Sequence, residues 1–189
     1  MTTVKYNDIM VDIETLSTEP NAVILSLGAI KFSRDNKPVP ALSEMETFYK
    51  RINIDSCKDL GMHVDPETVK WWDKQEESVK NEALGNEEGR ESIQETLNQF
   101  SSWIGTNPSI KIWGNGDDFD CVILTQAYKS IGLIPPWKFW NTRDVRTVFD
   151  MGSIHPWELP NDNKHHPIDD CYRQIFGLKK AFKILGYSR

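Results

Sequence analysis

Asp12 and Glu14 are the first residues along this sequence whose types and spacing suit metal-ion chemistry. They stand two positions apart at the end of an apolar segment that is predicted to be a β-strand. Side chains two apart in a strand point to the same face of a sheet, so both carboxylates should face one way. Adjacent carboxylates repel each other, and a divalent cation with oxygen ligands would relieve that repulsion. The alternative is a strand that runs out into solvent, where water hydrates both groups.

Asp120 is a third acidic residue in an unusual predicted position. The segment 117–131 is predicted to be an amphipathic helix. Its apolar stripe consists of Ile123, Leu124, Ala127 and Ile131. Asp120 falls on the same stripe, so its carboxylate should face inward, where burial is costly unless the charge is paired. The alternative is an acidic residue that stabilises the N-terminus of the helix dipole, a role that an exposed position would serve better.

The segment from His165 to Asp170 places histidines and carboxylates around a predicted helix start. Pro167 suits the first turn of a helix that should extend towards Gly186. His165 then lies in the loop before the helix, and Asp170 lies one turn inside it. A neutral imidazole can accept a proton from water near neutral pH, so His165 is a candidate general base. A histidine in a polar loop is otherwise an ordinary surface residue, and His166 keeps that interpretation.

These four carboxylates and one histidine form the set of groups that a two-metal phosphodiesterase needs. Two divalent cations roughly 3.5–4 Å apart can hold a phosphate, activate a water molecule and stabilise the leaving 3′ oxygen. The histidine would take the proton from that water. The sequence therefore predicts a site for two Mg²⁺ or Mn²⁺ ions.

Five strands and several helices are predicted to position these groups. The predicted strands are residues 6–13, 22–32, 47–54, 109–113 and 138–141. Two or three helices should begin at Pro66, with Asp65 as a cap, and extend to Ile104. Strands followed by alternating helices and strands indicate an α/β or α+β domain with helices on the faces of one sheet. No repeat or linker interrupts the 189 residues, so we expect a single domain spanning 1–189.

Composition narrows the classes of function. The formal net charge is −6, which argues against a protein that grips long duplex through its phosphates. An acidic nuclease should instead bind a chain end through its metal ions. No apolar run is long enough to span a membrane, and the polar segment Met1–Asp8 has no signal-peptide core, so we expect a cytoplasmic protein. The three cysteines are widely spaced and are expected to be reduced apolar residues.

Taken in order, these groups resemble the three motifs of the DEDDh 3′-to-5′ exonuclease superfamily. Asp12-Ile-Glu-Thr15 resembles the first motif, Asn115 followed by Phe119-Asp120 resembles the second, and His165 with Asp170 resembles the histidine form of the third. The resemblance extends over roughly residues 6–185. It implies a ribonuclease-H-like fold, with a mixed β-sheet of about five strands flanked by helices.

The resemblance also implies roles for individual residues. The metal ligands would be Asp12, Glu14, Asp120 and Asp170. The catalytic groups would be His165, as general base, and Glu14. Substrate contacts would come from Thr15, Leu16, Asn115 and Phe119. Leu16 is equally compatible with ordinary core packing.

Two further stretches, residues 68–75 and 138–147, look like the group of the phage exonuclease DexA, which also includes the bacterial exoribonuclease RNase AS. This similarity implies removal of nucleotides from the 3′ end of single-stranded nucleic acid, and the second stretch favours DNA over RNA. An exoribonuclease of the RNase AS type is the alternative. A non-catalytic nucleic-acid-binding module on the same fold is an alternative of another class, against which the intact acidic set and His165 count. Relatives often form homodimers, which makes a homodimer possible, but the sequence shows no distinct interface stripe that would predict one.

The roles of four other residues stay open. Trp71 and Trp72 could each stack a base or pack in the core, but neighbouring helical side chains point about 100° apart, so at most one should stack. Arg143 and Arg146 could contact phosphate or pair with nearby acids.

Overall fold

A mixed five-stranded sheet forms the centre of the chain in the computed structural model, which describes residues 6–35, 37–85, 88–160 and 165–187. The strands are β1 (Asp8–Thr15), β2 (Ile24–Phe32), β3 (Thr47–Arg51), β4 (Lys111–Gly114) and β5 (Thr142–Asp144). Their order in the sheet is β3-β2-β1-β4-β5. The first three strands pair antiparallel, whereas β4 runs parallel to β1 and β5 runs parallel to β4. The predicted mixed sheet with flanking helices is confirmed.

Helices cover both faces of this sheet. They are α1 (Ile54–Lys58), α2 (Pro66–Asp73), α3 (Glu77–Ala83), α4 (Ile93–Ile104), α5 (Asp120–Ser130), α6 (Val145–Met151) and α7 (Pro167–Ile184). Short 3-10 helices occupy Leu42–Glu44, Phe139–Asn141 and Pro156–Glu158. As predicted, Asp65 caps α2, and its carboxylate accepts a hydrogen bond from the Glu67 backbone N–H. None of the helices within the described ranges is long and apolar enough to cross a membrane. Residues 1–5 of the N-terminal segment lie outside those ranges.

Strand β1 contributes side chains to two separate cores. Ile9, Val11 and Ile13 pack into the core on the face covered by α4 and α5. Met10 points the other way and packs with residues of α6 and α7. This alternation is what a strand buried on both faces requires, because successive side chains point to opposite sides. It also directs the carboxylates that follow Met10 towards α7.

The prediction of a strand at 138–141 is wrong, because Phe139–Asn141 form a 3-10 helix and the strand is Thr142–Asp144. The aromatic residues Phe139 and Trp140 favour a strand by type, but both are exposed. The Asn141 side chain is tied to Pro108 and Lys111, which ends the turn and starts the strand one residue later. Helix α6 was not predicted from the sequence. Its signal is the side chain of Asp144, which accepts hydrogen bonds from the backbone N–H groups of the first turn.

Candidate active site at the end of strand β1

Three carboxylates converge where β1 meets the start of α7. One oxygen from each of Asp12, Glu14 and Asp170 lies within 4.8 Å of the others. Asp12 and Glu14 reach this point because they share one face of β1. The Gln174 amide, one turn after Asp170 along α7, donates a hydrogen bond of 2.9 Å to Asp12 Oδ1. Strand and helix are therefore joined at the cluster itself.

Asp170 is held in place by its own helix start. Its Oδ2 accepts a hydrogen bond of 3.0 Å from the backbone N–H of His165, and its Oδ1 accepts one of 2.8 Å from the Arg173 guanidinium. Helix α7 can approach the sheet here because Gly28 on β2 has no side chain; a Cβ atom there would lie 2.5 Å from the Cβ of Pro167. Gly28 is also the residue paired with Asp12 in the β1–β2 register. A glycine thus brings Asp170 up to Asp12.

Asp120 reaches the same cavity from the opposite side. It is the first residue of α5 and is 3% exposed, as its place on the apolar stripe predicts. Its Oδ1 accepts a hydrogen bond of 3.2 Å from the backbone N–H of Ile13, which lies between Asp12 and Glu14. A hydrogen bond therefore joins the carboxylate of the second motif to the strand that carries the first motif.

His165 lies at the mouth of the cavity. Its Nδ1 is 3.8 Å from Glu14 Oε1, and its ring stands edge-on to Trp71 with the centroids 5.2 Å apart. The backbone of His165 adopts a φ of 62°, a left-handed conformation that turns the chain into α7. His166 points elsewhere, with its Nδ1 3.1 Å from Asp169 Oδ2 and its ring against Tyr49. Of the two histidines, His165 is the one that lines the carboxylate cavity.

The site is costly for the folded chain when all its carboxylates are ionised. Burial, together with repulsion from Asp120 and Glu14, raises the pKa of Asp12 well above its usual range. Burial and the neighbouring acids raise the pKa of Glu14 to about 9. Burial raises the pKa of Asp120 to about 7, although backbone N–H groups oppose that shift. Burial also raises the pKa of Asp170, against the opposing attraction of Arg173. A positive charge among these groups would remove the cost.

Unpaired oxygens mark the same region as suited to a cation. The side-chain oxygens of Gln174 and Asn115 are both buried and accept no hydrogen bond from the described residues. Both residues line the carboxylate cavity, which has a volume of about 530 Å³. Carboxylate and amide oxygens are the ligands that hard divalent cations prefer, so the residues present fit such ions.

The predicted substrate contacts occupy different positions. Asn115 and Phe119 line the carboxylate cavity. Thr15 lines an adjacent cavity of about 440 Å³, and its hydroxyl donates to the Ser17 carbonyl. Leu16 is buried in the core and lines neither cavity.

The two tryptophans and the two arginines separate into different roles. Trp72 is buried, and its indole N–H donates to the Thr15 carbonyl across 2.9 Å. Trp71 is 42% exposed and lines both cavities. Arg146 lines the carboxylate cavity, and its positive charge opposes the rise in the pKa of Asp120 that burial causes, whereas Arg143 donates to backbone carbonyls of its own turn. Trp71 and Arg146 are thus the members of each pair that face the site.

Arg173 and Gln174 also line the carboxylate cavity, although neither was predicted from the sequence to do so. Their signal was available, because they follow Asp170 by three and four positions. That spacing places side chains beside one another on a helix.

The strand order of the sheet, with helices on both faces, defines the class of ribonuclease-H-like folds, and three carboxylates converge at the end of its first strand. The chain belongs to the Rv2179c-like 3′-5′ exoribonuclease domain family, whose pattern matches residues 7–181. It is also similar to an exodeoxyribonuclease of Enterobacteria phage T4, with 24% identity over 203 residues that cover 93% of this chain and 89% of the relative.

Solved structures of E. coli exonuclease I share the fold. A zinc-bound complex with single-stranded DNA superposes with a TM-score of 0.64 over 95% of this chain, and a complex with a dA16 oligonucleotide superposes with 0.66 over 97%. Both are 16% identical in sequence to this chain. The chain spans 42% and 43% of the length of those two exonuclease I chains. The ribonuclease-H-like fold is therefore confirmed.

Proposed function

We propose that this protein hydrolyses single-stranded nucleic acid from its 3′ end, one nucleotide at a time, with DNA as the preferred polymer. The reaction would use two divalent cations, Mg²⁺ or Mn²⁺, in a single domain comprising residues 1–189. The observation that carries this proposal is the convergence of Asp12, Glu14 and Asp170 within 4.8 Å beside a histidine that is not among them.

The four carboxylates would hold the cations. Asp12, Glu14 and Asp170 present their oxygens together, and Asp120 lines the same cavity from α5. When bound, the cations supply charge that positions the scissile phosphate, activates water and stabilises the leaving oxygen. Gln174 and Arg173 fix the orientations of Asp12 and Asp170 through their hydrogen bonds. Their contribution is to keep the acidic oxygens directed into the cavity.

His165 would act on the attacking water. Its imidazole stands at the cavity mouth beside Glu14, where it can take one proton from water as the water oxygen bonds to phosphorus. The bond from phosphorus to the 3′ oxygen of the preceding nucleotide then breaks, and that oxygen takes up a proton. The products are a nucleoside 5′-monophosphate and a strand shortened by one residue with a free 3′ hydroxyl.

The walls of the cavity suit a terminal nucleotide. Trp71 presents an exposed indole on one side, against which a base can stack without regard to sequence. Phe119 lines the same space, and the guanidinium of Arg146 offers a positive charge for a phosphate. These features support a site for the end of a strand.

The preference for DNA is supported by the phage relative, which is an exodeoxyribonuclease and aligns over most of the chain. Membership of a family of 3′-5′ exoribonuclease domains supports a second candidate, a 3′-to-5′ exoribonuclease. Labelled DNA and RNA strands of equal sequence, incubated with Mg²⁺ or Mn²⁺ and resolved on a gel, would separate the two. Faster shortening of the DNA is expected, and faster shortening of the RNA would establish the second candidate.

Polarity and catalysis have their own readouts in this assay. A blocked 3′ end should protect the strand, whereas a blocked 5′ end should not. Binding of both polymers without shortening of either would instead indicate a non-catalytic module. Homodimer formation stays a possibility, which sedimentation of the chain would test.

A further inference from the structure

One face of α7 carries positive and aromatic side chains that extend from the carboxylate cavity towards the C-terminal end of the helix. The residues are Arg173, Phe176, Lys180 and Lys183. At 100° per residue their directions fall within about 80° of one another, so they form one stripe along the helix. Arg173 lines the carboxylate cavity, and the other three line a second cavity farther along α7. The stripe therefore connects two cavities.

The second cavity is positively charged. It has a volume of about 630 Å³ and lies between the C-terminal half of α7 and the segment that follows β2. Its lining includes the four lysines Lys37, Lys179, Lys180 and Lys183. The one carboxylate in the lining, Asp35, pairs with Lys179 at 2.9 Å. Lys180 and Lys183 are exposed and form no ion pair with any residue in the described parts of the chain. Although the net charge of the chain is −6, several lysine side chains are thus gathered in this second cavity, on the same helix as the acidic site.

We propose that this stripe, from Arg173 to Lys183, binds the phosphodiester backbone of the single strand upstream of the nucleotide being removed. The inference rests on the proposed function and extends it from a chain end to a longer strand. Asp170 and Lys183 are thirteen residues apart on α7, or about 20 Å. At a stacked spacing of roughly 3.4 Å this distance corresponds to about six nucleotides.

The alternative explanation is a solvated helix face with lysines that favour its C-terminal dipole. That explanation accounts for Lys183 in the last turn but not for Phe176, which is 42% exposed in mid-helix beside Lys180. An aromatic ring between cations is how proteins bind single strands without reading their sequence, because bases stack on the ring while cations contact the phosphates. The charge of the stripe is complementary to a nucleic acid and not to a lipid tail or an apolar peptide.

The test measures binding of fluorescent eight-nucleotide DNA and RNA strands with blocked 3′ ends, in Mg²⁺, over a range of salt concentrations. The variant is Lys180→Ala with Lys183→Ala. Its matched control is Lys58→Ala with Lys129→Ala, which removes two exposed lysines that lie outside both cavities. Each lost phosphate contact should reduce the slope of log affinity against log salt by about 0.7, so the stripe variant should lose about 1.4. The control should keep the slope of the unmodified protein.

Further variants cover folding and stacking. Lys180→Arg with Lys183→Arg keeps both charges and should keep the slope, and thermal melts of every variant report the fold. Phe176→Ala should weaken affinity several-fold without changing the slope, since stacking is not ionic. If the alanine pair misfolds, the comparison rests on Phe176→Ala and on Lys180→Ala alone, for which a loss of about 0.7 is expected.

Two kinds of result would overturn the inference. The first is a salt slope that is unchanged in the lysine-to-alanine variants, or that falls equally in the control. The second is a loss of binding to a polyglutamate peptide with unchanged binding to both oligonucleotides, which would identify an acidic protein as the occupant. Blocked strands are not shortened in this assay, so its outcome is independent of hydrolysis. The unmodified protein could fail to shorten unblocked strands while the stripe variants still change the salt slope as expected. That result would count against the proposed function but would support strand binding by the stripe.

Discussion

Gly28 contacts Pro167 so closely that a Cβ atom at position 28 would lie 2.5 Å from the Pro167 Cβ and 2.8 Å from its carbonyl carbon. Backbone cannot yield to such a contact without moving the start of α7. Gly28→Ala should therefore shift Asp170 away from Asp12, reduce Mn²⁺ affinity and destabilise the fold by about 1–3 kcal/mol. Calorimetry of Mn²⁺ binding and thermal melts would measure both effects.

Gly152→Ala is the matched control for that prediction. A Cβ at Gly152 would lie 2.7 Å from the Ala181 Cβ, near the other end of α7 and against α6. We expect a similar loss of stability with Mn²⁺ affinity retained. Equal loss of Mn²⁺ affinity in both variants would show that α7 responds as a rigid unit and that Gly28 has no special relation to the site.

Metal removal should lower stability, and increasingly so as the pH rises. In the metal-free protein the pKa of Glu14 is raised to about 9 and that of Asp120 to about 7, from 4.5 and 3.8 respectively. The folded chain then binds more protons than the unfolded chain between those values. These two groups therefore contribute stability that is fully present below pH about 4. That contribution is lost as the pH rises through their folded-state pKa values of about 7 and 9. In EDTA, the melting temperature should fall between pH 6 and pH 9.

Added Mg²⁺ should reverse most of that fall, because bound cations stabilise the folded state and relieve the repulsion. Glu14→Gln should flatten the profile in EDTA, since it removes one of the titrating groups. A melting temperature in EDTA that stays constant or rises between pH 6 and pH 9 would contradict the proposed metal site. So would hydrolysis that continues in excess EDTA.

Asp120→Asn should abolish most turnover while preserving the fold. The amide oxygen can still accept the hydrogen bond from Ile13, but the negative charge is gone. We expect weaker Mn²⁺ binding and a decrease in turnover of roughly 10²–10³-fold. Asp118→Asn is the control, since it removes an exposed acid just before the same helix. If the two variants behave alike, Asp120 serves the helix dipole and not a metal.

His165→Ala should lose turnover by roughly 10²–10⁴-fold and keep its affinity for Mn²⁺ and for substrate. The imidazole stands beside Glu14 but is not part of the carboxylate cluster, so the ion site should survive its removal. Single-turnover rates and substrate titrations would show the two effects separately. His166→Ala should change the rate little, because that ring packs against Tyr49. Loss of activity in His166→Ala would require a different mechanism. So would the loss of both binding and turnover in His165→Ala.

Trp71→Ala should weaken substrate binding by about 1–3 kcal/mol if the terminal base stacks on its indole. Trp71→Phe should recover part of the loss. Trp140→Ala is the control, since Trp140 is even more exposed but lines neither of the two cavities at the carboxylates. An unchanged KM in Trp71→Ala would leave the indole as support for the His165 ring alone, in which case only turnover should decline.

Features governed by local periodicity could be predicted from the sequence. The common face of Asp12 and Glu14 follows from strand alternation, and the burial of Asp120 follows from the helical stripe. Strand β5 could not be predicted, because three residues carry little pattern and each pairs with a residue of β4 that lies 30 positions earlier in the chain. Long-range contacts, such as the hydrogen bond between Gln174 and Asp12, could not be predicted from the sequence either.

The choice between Trp71 and Trp72 shows the same limit. Helical geometry says that the two side chains diverge, but only the packing of α2 against β1 determines which one is buried. The hydrogen bond from the Trp72 indole to the Thr15 carbonyl makes that choice, and it leaves Trp71 facing the site.

The side chains of β1 alternate between two cores, and this limits which insertions and deletions the strand can accept during evolution. Because even-numbered side chains face α7 and odd-numbered ones face the opposite core, inserting or deleting one residue before Asp12 would exchange the two sets. Both carboxylates would then enter an apolar interior, and Ile13 would point into the site. Point substitutions elsewhere in the strand can be accepted one at a time, but a change of length there would destroy the interior and the site in a single event. The number of residues in this short stretch should therefore change more slowly during evolution than the residue types around it.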